Sequence, residues 1–156
     1  MIRLVLVRHA KSDWGDASLD DHDRPLNERG LRDASEMAAR LAATGFRPDV
    51  IRSSTALRAR TTAAIFGEAL GVEPQLVERL YGAPAATLLS EAVAAGGRAV
   101  MIVAHDPGMT VLAERLSDGG IGHMPTCAVA TFTWDEDDAA LATAVPPASW
   151  TFDSPR

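Results

Sequence analysis

The stretch Met1-Ile-Arg-Leu-Val-Leu-Val-Arg-His-Ala10 decides how the rest of the chain is interpreted. Its apolar run, Leu4 to Val7, ends directly at Arg8 and His9. A short apolar run without polar alternation is typical of a strand buried on both faces, as in a parallel sheet. Open α/β sheets bind ligands at the carboxyl ends of such strands. Arg8 and His9 are therefore predicted at the mouth of a binding site, unless they merely end the strand as solvated residues.

Length and composition indicate one domain that spans residues 1–156, with an irregular tail over 146–156. The chain has 156 residues, of which 47% are hydrophobic and 23% charged, as in ordinary globular proteins. No apolar run approaches the ~20 residues that cross a bilayer, and no secretory signal is visible, so a cytoplasmic protein is expected. A net charge of −6 argues against nucleic-acid and acidic-membrane partners.

Two further features bear on metals and disulfides. Cys127 is the single cysteine, which excludes an internal disulfide and a multi-cysteine zinc site. Its apolar surroundings predict a small core residue. The cluster Asp20-Asp21-His22-Asp23 lies in a polar stretch and matches no calcium-loop spacing. A solvated loop is favoured there over a metal site, and neither a metal nor a cofactor is predicted.

Alternating strands and helices predict an α/β fold, a three-layer α/β/α sandwich around a mainly parallel sheet. Asn27 is a plausible N-cap, Gly45 and Gly71 are helix stops, and Pro84 can open a helix. Late strands are expected at one edge of the sheet, with residues 141–145 as a possible antiparallel partner of residues 127–134. The predicted strands are 4–7, 49–52, 76–77, 99–104 and 127–134. The predicted helices are 28–44, 56–70, 85–95 and one that begins with Asp106 as N-cap and Pro107 at its first position.

The layout places a second histidine and a further arginine beside the first pair. The strand over 99–104 runs into His105, and parallel strands bring their carboxyl ends to the same sheet edge. Arg58 and Arg60 lie in the first turns of a helix that follows another strand, so at least one can reach that edge. Helix N-termini and arginine forks favour an anion such as a phosphoryl group.

The residue types suggest phosphoryl transfer. A free histidine has a pKa near ~6.5, so His9 can be a neutral nucleophile that attacks phosphorus and forms a phosphohistidine. Arg8 and Arg58 are natural clamps for the phosphoryl oxygens, and a protonated His105 adds a donor. Taken singly, each residue could instead be a strand end or helix surface. Their coincidence at one predicted sheet edge favours the catalytic interpretation.

Three segments resemble the histidine phosphatase (phosphoglycerate mutase-like) superfamily. Leu4-Val-Leu-Val-Arg-His-Ala10 is similar to its Arg-His-Gly signature, with Ala10 in place of glycine. Ser54-Thr-Ala-Leu-Arg-Ala-Arg-Thr-Thr62 resembles its second motif, whose arginine falls on Arg58, and Val103-Ala-His-Asp-Pro-Gly108 resembles the segment that carries its second histidine. The resemblance implies a phosphoglycerate mutase-like fold.

Shorter features narrow the resemblance to the SixA-like phosphohistidine phosphatases. They are the chain length, Lys11-Ser12-Asp13-Trp14, Arg24-Pro25-Leu26 and Leu80-Tyr81-Gly82-Ala83. The resemblance implies a metal-independent hydrolase of phosphoric monoesters or phosphoramidates, with His9 as nucleophile and Arg8, Arg58 and His105 around the phosphate. It leaves the proton donor open between Glu78 and Asp13. It also implies an open site without the lid of the mutases, which suits a phosphorylated protein.

Three functions are compatible with these residues and with the resemblance. The first is a protein phosphohistidine phosphatase, and the second is a phosphatase of a small phosphorylated metabolite. The third is a non-catalytic phosphate-binding regulatory module, which has no need of a nucleophile such as His9. A dinucleotide-binding role is disfavoured because no glycine-rich turn follows the first strand.

Overall fold

The computed structural model describes residues 1–142 and 144–156. Within these residues, six strands form one sheet: β1 (Ile2–Arg8), β2 (Val50–Ser53), β3 (Gln75–Leu76), β4 (Ala99–Ala104), β5 (Val129–Trp134) and β6 (Ser149–Asp153). The described helices are α1 (Glu28–Ala43), α2 (Leu57–Leu70), α3 (Ala85–Ala94), α4 (Gly108–Leu116) and the short α5 (Ala139–Ala142). Short 3₁₀ turns occupy Asp21–Asp23 and Glu78–Leu80.

The strand order β3-β2-β4-β1-β5-β6 brings the two predicted histidine-bearing strands side by side. β4 pairs in parallel with both β1 and β2, and the β1 register runs from Arg3 opposite Ala99 to Arg8 opposite Ala104. β5 pairs antiparallel with β1 and with β6, so the late strands form one edge, as predicted. Arg8 and Ala104 are thus the matched last residues of two parallel neighbours.

Apolar residues of β1 alternate between two cores, which makes the fold a three-layer sandwich. Leu4 and Leu6 pack with residues of α3 and α4 on one face of the sheet. Val5 and Val7 pack with residues of α1 and α2 on the other face. Burial on both faces explains why the run has no polar alternation, and it confirms the predicted α/β/α architecture.

Local sequence signals set the ends of several helices. The side chain of Asn27 accepts a hydrogen bond from the Gly30 N–H at 2.8 Å, as an N-cap does, and α1 starts at the next residue. Gly71 ends α2 in the left-handed conformation, with φ of 76°, which glycine adopts without steric cost. No helix among the described residues is long and apolar enough to cross a bilayer.

Three predictions about local structure are wrong. Residues 141–145 do not form the antiparallel partner of β5: α5 takes up Ala139–Ala142, and Thr143 lies outside the described residues. That partner is β6, so the tail over 146–156 is not irregular. The edge position of β6 explains the miss, because its residues are exposed and lack a buried apolar face.

The third correction concerns the start of α4. The helix begins at Gly108, with Pro107 rather than Asp106 at the N-cap. The Asp106 carboxylate instead accepts hydrogen bonds from the backbone N–H and the hydroxyl of Thr110, at 3.0 and 2.8 Å. Asp106 therefore stabilises the first turn from the residue before the N-cap, and not as the N-cap itself.

Candidate active site

The carboxyl ends of β1 and β4 bring His9 and His105 together. The His9 N–H donates to the Ala104 carbonyl at 3.0 Å, which continues the pairing of the two strands by one residue. The two imidazole rings are 5.1 Å apart between centroids, and both residues are only 7% exposed. The predicted convergence of two histidines at one sheet edge is therefore present in the fold.

The side chain of His9 is held in one tautomer by the backbone of the next residue. Its Nδ1 atom lies 2.7 Å from the Ala10 carbonyl oxygen. A carbonyl oxygen only accepts hydrogen bonds, so Nδ1 carries the proton and Nε2 keeps its lone pair. Ala10 is fixed in turn, because its N–H donates to the Thr62 hydroxyl in α2 at 3.0 Å. The arrangement orients His9 with a free basic nitrogen.

The surroundings of His9 also keep its ring neutral. Burial lowers the pKa of His9 from 6.5 to about 3; the hydrogen bond to Ala10 opposes the shift, and positive charge nearby adds to it. Desolvation disfavours the charged form of a buried imidazole. At neutral pH the Nε2 lone pair is therefore available for attack on an electrophile.

His105 is oriented by Ser54. Its Nε2 atom lies 2.7 Å from the Ser54 hydroxyl oxygen, which also accepts a hydrogen bond from the Ala56 N–H at 3.2 Å. The other ring nitrogen, Nδ1, is buried and has no hydrogen-bond partner among the described residues. Burial, and then the charge of Arg58, lower the pKa of His105 to about 4. When the Ser54 hydroxyl donates to Nε2, the neutral ring carries its proton on Nδ1 and can donate it to an oxyanion.

Arg8 is held by contacts with Met124 and Asp106. One of its terminal nitrogens donates to the Met124 carbonyl at 2.9 Å and lies 3.5 Å from the Asp106 carboxylate. Its Nε is buried without a hydrogen-bond partner in the described part of the chain. The backbone N–H of Cys127 donates to the carbonyls of Arg8 and His9, both at 3.1 Å. β1 is thus anchored at the point where its two polar residues leave the sheet.

Arg58 reaches the same edge from the first turn of α2, whereas Arg60 is exposed. The Arg58 side chain is nearly buried and donates to the Asp21 carbonyl at 2.6 Å and to the Asp21 carboxylate at 2.9 Å. Coulombic repulsion from Arg58 lowers the pKa values of both His9 and His105, so its charge acts on both rings. The structure therefore brings together His9, His105, Arg8 and Arg58.

Asp21 is the residue that the sequence reasoning missed. Its carboxylate accepts hydrogen bonds from Arg58, from the Tyr81 hydroxyl at 2.6 Å and from Arg24 at 2.9 Å. The Tyr81 ring also contacts the His105 ring edge-on, with centroids 5.6 Å apart. The available signal was that Arg24 and Tyr81 both belong to the short segments that carry the family resemblance. A solvated, hydrogen-bonded loop was predicted here; Asp20, Asp21 and Asp23 are exposed, and the hydrogen bonds of Asp21 also bring the loop against the site.

The carboxylates of the two candidate proton donors lie outside this group of contacts. Glu78 is exposed, and its side chain forms no hydrogen bond or ion pair with another described residue. The Asp13 carboxylate is also exposed and accepts a hydrogen bond from the Gly15 N–H at 2.7 Å within its own loop. Neither carboxylate pairs with His9 or His105.

Two exposed aromatic side chains, Trp14 and Tyr81, contact members of this group and are together called the open rim. The Arg24 guanidinium carbon lies 3.3 Å from the centroid of the Trp14 ring, and Trp14 is 71% exposed. Tyr81 is 37% exposed and contacts the His22 ring edge-on, with centroids 4.9 Å apart. Within residues 1–142 and 144–156, no three His, Cys, Asp or Glu side chains are grouped so that they could hold a metal ion.

A family model agrees with this geometry. The model of the histidine phosphatase superfamily, branch 1, matches residues 4–84, which is just over half of the chain. The chain belongs to the histidine phosphatase superfamily. The matched range includes Arg8, His9 and Arg58, while His105 lies beyond it. Membership of the superfamily supports phosphatase activity.

The relatives of this chain differ in how much of their length it spans. A chloroplastic protein of Arabidopsis thaliana is 52% identical over 60 residues, which are 38% of this chain and 28% of the relative. A Mycobacterium tuberculosis protein is 38% identical over 109 residues, covering 69% of this chain and 67% of the relative. A phosphoglycerate mutase of Methylobacterium, named as 2,3-bisphosphoglycerate-dependent, is 38% identical over 88 residues, covering 51% and 42% respectively.

A solved structure matches this chain along nearly its whole length. It is the crystal structure of a protein from Agrobacterium tumefaciens assigned as the phosphohistidine phosphatase SixA. The two are 31% identical, the match covers 99% of each chain, and the TM-score is 0.81. The fold and the SixA-like resemblance inferred from the short motifs are both confirmed.

Proposed function

We propose that the protein hydrolyses phosphohistidine in other proteins through a covalent phosphohistidine intermediate on His9. The observation that carries this proposal is the 2.7 Å contact between His9 Nδ1 and the Ala10 carbonyl. It leaves Nε2 as a free base in a ring that burial keeps neutral. A buried, oriented and uncharged imidazole beside two arginines suits nucleophilic attack on phosphorus.

The first step is transfer of the phosphoryl group to His9. The Nε2 lone pair forms a bond to phosphorus while the bond from phosphorus to the leaving nitrogen breaks. The leaving imidazole keeps the proton on its other nitrogen and departs neutral, while His9 keeps its proton on Nδ1. The exchange is balanced between two imidazoles and requires no external proton donor, which is consistent with the positions of Glu78 and Asp13 outside the contacts of His9.

The second step returns the phosphoryl group to water. Water attacks phosphorus, the bond to His9 Nε2 breaks, and the ring again becomes the neutral Nδ1-protonated tautomer, while the product leaves as dihydrogen phosphate with both protons of the water. Arg8, Arg58 and the Nδ1 of His105 supply donors for the phosphoryl oxygens in both steps. Catalysis in this proposal rests on positioning and charge stabilisation by these side chains. Activity is therefore expected to persist in EDTA.

A protein substrate is supported by the open rim and by the similarity to the Agrobacterium protein. Tyr81 contacts the His105 ring, Trp14 stacks on Arg24, and exposed aromatic residues of this kind contribute strongly to protein interfaces. A phosphorylated side chain that projects from a partner protein can reach His9 past such a rim.

A small phosphorylated metabolite is the second candidate substrate. The observation in its favour is the 38% identity to the Methylobacterium phosphoglycerate mutase over 88 residues. This function shares the proposed phosphate pocket and differs in what surrounds the leaving group. Turnover of a phosphohistidine protein compared with a panel of phosphorylated metabolites separates the two.

The covalent step is tested by trapping. Wild-type protein is mixed with a ³²P-labelled phosphohistidine protein and quenched in alkaline detergent, because phosphohistidine survives base and not acid. Label is expected on the peptide that contains His9, and His9→Ala is expected to lose both label and turnover. His123→Ala is the matched control, since this histidine is exposed and contacts neither His9 nor His105; its Nδ1 lies 3.9 Å from the Asp106 carboxylate. Full turnover by His9→Ala would refute the mechanism, whereas absence of turnover by the wild type on every phosphorylated substrate would leave the binding module as the better interpretation.

A further inference from the structure

Asp21 places a carboxylate at the mouth of the proposed pocket. Oδ2 accepts hydrogen bonds from both the Arg58 guanidinium and the Tyr81 hydroxyl, at 2.9 and 2.6 Å. Oδ1 accepts one from Arg24 at 2.9 Å. The side chain is still 50% exposed, so three contacts hold it in place while one side faces solvent at the entrance. A substrate that reaches His9 passes close to this charge.

The carboxylate stays ionised at neutral pH. The hydrogen bond from Tyr81 is the largest cause; burial opposes it, Arg58 and Arg24 add to it, and the pKa of Asp21 falls to about 2. An ionised carboxylate cannot act as a general acid. Its field does reach the pocket, because the charge of Asp21 raises the pKa of His105 against the other influences on that ring.

Leaving groups respond to such a charge in opposite ways. A phosphohistidine ring can carry a proton on its free nitrogen, and a nearby carboxylate stabilises that cation and accepts its N–H. A phosphate ester that bears a carboxylate or a second phosphate brings a like charge toward Asp21, which is unfavourable. Both kinds of substrate present the same phosphoryl group to Arg8 and Arg58, so the difference lies in the leaving group alone.

We propose that Asp21 is a specificity-determining residue: its carboxylate, held between Arg58, Tyr81 and Arg24 at the pocket mouth, favours phosphohistidine whose ring is protonated on its free nitrogen and disfavours phosphate esters that carry further negative charge. The proposal rests on the proposed function and assigns it a residue outside the histidines and arginines. Repulsion at the mouth, in addition to attraction toward the correct substrate, is a general means of selecting between ligands.

The test compares kcat/KM of wild-type protein and Asp21→Asn on three substrates. They are a phosphohistidine peptide, 3-phosphoglycerate as an ester with an added carboxylate, and p-nitrophenyl phosphate as an ester without one. The ratio of phosphohistidine to 3-phosphoglycerate is expected to fall about tenfold in Asp21→Asn, the scale of one charge interaction near a protein surface. The kcat/KM for p-nitrophenyl phosphate measures any change that Asp21→Asn causes in all three substrates through a displaced Arg58.

Two further variants separate charge from structure. Asp23→Asn is the matched control, because Asp23 lies in the same 3₁₀ turn, is exposed and contacts neither Arg58 nor Tyr81. It is expected to keep the wild-type ratio. Asp21→Glu keeps the charge and is expected to retain the preference for phosphohistidine.

The outcomes are distinguishable from failure of the proposed function. An equal change of Asp21→Asn on all three substrates would overturn the proposal, since Asp21 would then only position Arg58. An unchanged ratio would also overturn it, while turnover of phosphohistidine by the wild type would still support the proposed function.

A salt titration of the wild type decides if Asp21→Asn does not fold. The ratio of kcat/KM for phosphohistidine to that for 3-phosphoglycerate is expected to fall as salt rises from about 0.02 to about 0.5 M, because screening weakens exposed charges. A salt-independent ratio contradicts the proposal.

Discussion

The Ser54 hydroxyl oxygen lies 2.7 Å from Nε2 of His105, and the opposite nitrogen of the same ring is buried without a partner among the described residues. The ring is therefore fixed on one side and has its second nitrogen available on the other. Ser54 is expected to act as a positioning residue, because it determines which nitrogen of His105 carries the proton.

Ser54→Ala is expected to lower kcat by about fivefold to tenfold, which corresponds to the loss of one hydrogen bond of ~1 kcal/mol. KM for the phosphorylated substrate should change less, since Arg8 and Arg58 are untouched. Ser53→Ala is the control, because Ser53 is equally buried and its hydroxyl donates to the Ser54 carbonyl rather than to His105. Equal losses in the two variants would assign the effect to packing.

Binding of a dianion should take up a proton at pH 7. His9 and His105 have pKa values lowered to about 3 and about 4, so both are neutral in the pocket before the anion arrives. A dianion near His105 favours the charged ring and raises its pKa. Calorimetry with tungstate in Tris and in HEPES is expected to show heats that differ by the ionisation enthalpies of the buffers, with uptake of up to about one proton.

The control for this measurement is His105→Gln, which keeps a polar side chain and cannot be protonated. Its uptake is expected to be much smaller than that of the wild type. Identical heats in both buffers for the wild-type protein would show that neither ring gains a proton on binding.

Stability should fall as pH drops below about 6.5. Both histidines have folded pKa values below the ordinary value, so the unfolded chain binds more protons than the folded one in this range. The contribution of the two histidines to the free energy of unfolding is complete above about pH 6.5. It is lost as pH falls toward their folded pKa values, about 4 for His105 and about 3 for His9. At pH 5 the loss is about 2 kcal/mol for each ring.

Urea unfolding at pH 7.5, 6 and 5 measures this loss. His9→Gln and His105→Gln are each expected to show a shallower decline over the same range, because each removes one buried titrating ring. A decline as steep as that of the wild type in both variants would assign the pH dependence to other groups.

A methyl group at Gly30 has no room. A Cβ there would lie 2.1 Å from the carbonyl oxygen of Lys11, the residue after Ala10, so the start of α1 packs directly on the segment that follows His9. Gly30→Ala is expected to cost about 2 kcal/mol in unfolding free energy by overpacking and to reduce turnover. Gly122→Ala is the control, since a Cβ at Gly122 meets nothing within 4 Å. Equal stability of the two variants would contradict the close approach.

The Cys127 thiol should be unreactive in the folded protein. Cys127 is fully buried, and burial raises the pKa of its thiol to about 12. Thiolate is the reactive form, so iodoacetamide is expected to modify Cys127 only after unfolding in urea. Rapid alkylation of the folded protein at pH 8 would disagree with this burial.

The positions of His9, His105 and Arg58 could be predicted because the sequence signals that place them are local. The apolar runs of β1 and β4 stop at polar residues, and parallel pairing then brings those ends together whatever the separation along the chain. Arg58 followed for the same reason, since it lies in the first turn of a helix next to that edge.

The position of Asp21 and the edge strand β6 could not be predicted in this way. Asp21 binds Arg58 and Tyr81, which lie 37 and 60 residues away, and no periodic pattern in a polar loop indicates such contacts. β6 was missed because an edge strand has one open side and its Trp150 and Phe152 remain partly exposed, so burial does not shape its composition. Contacts between distant parts of the chain determine both the position of Asp21 and the pairing of β6.

Each arginine at the pocket already has a carboxylate beside it: Asp106 lies 3.5 Å from Arg8 and Asp21 lies 2.9 Å from Arg58. Phosphate arriving between them therefore competes with these internal anions and binds less tightly than it would between two unpaired cations. The consequence concerns the end of the catalytic cycle. Inorganic phosphate should leave quickly, so accumulation of product should inhibit this pocket only weakly.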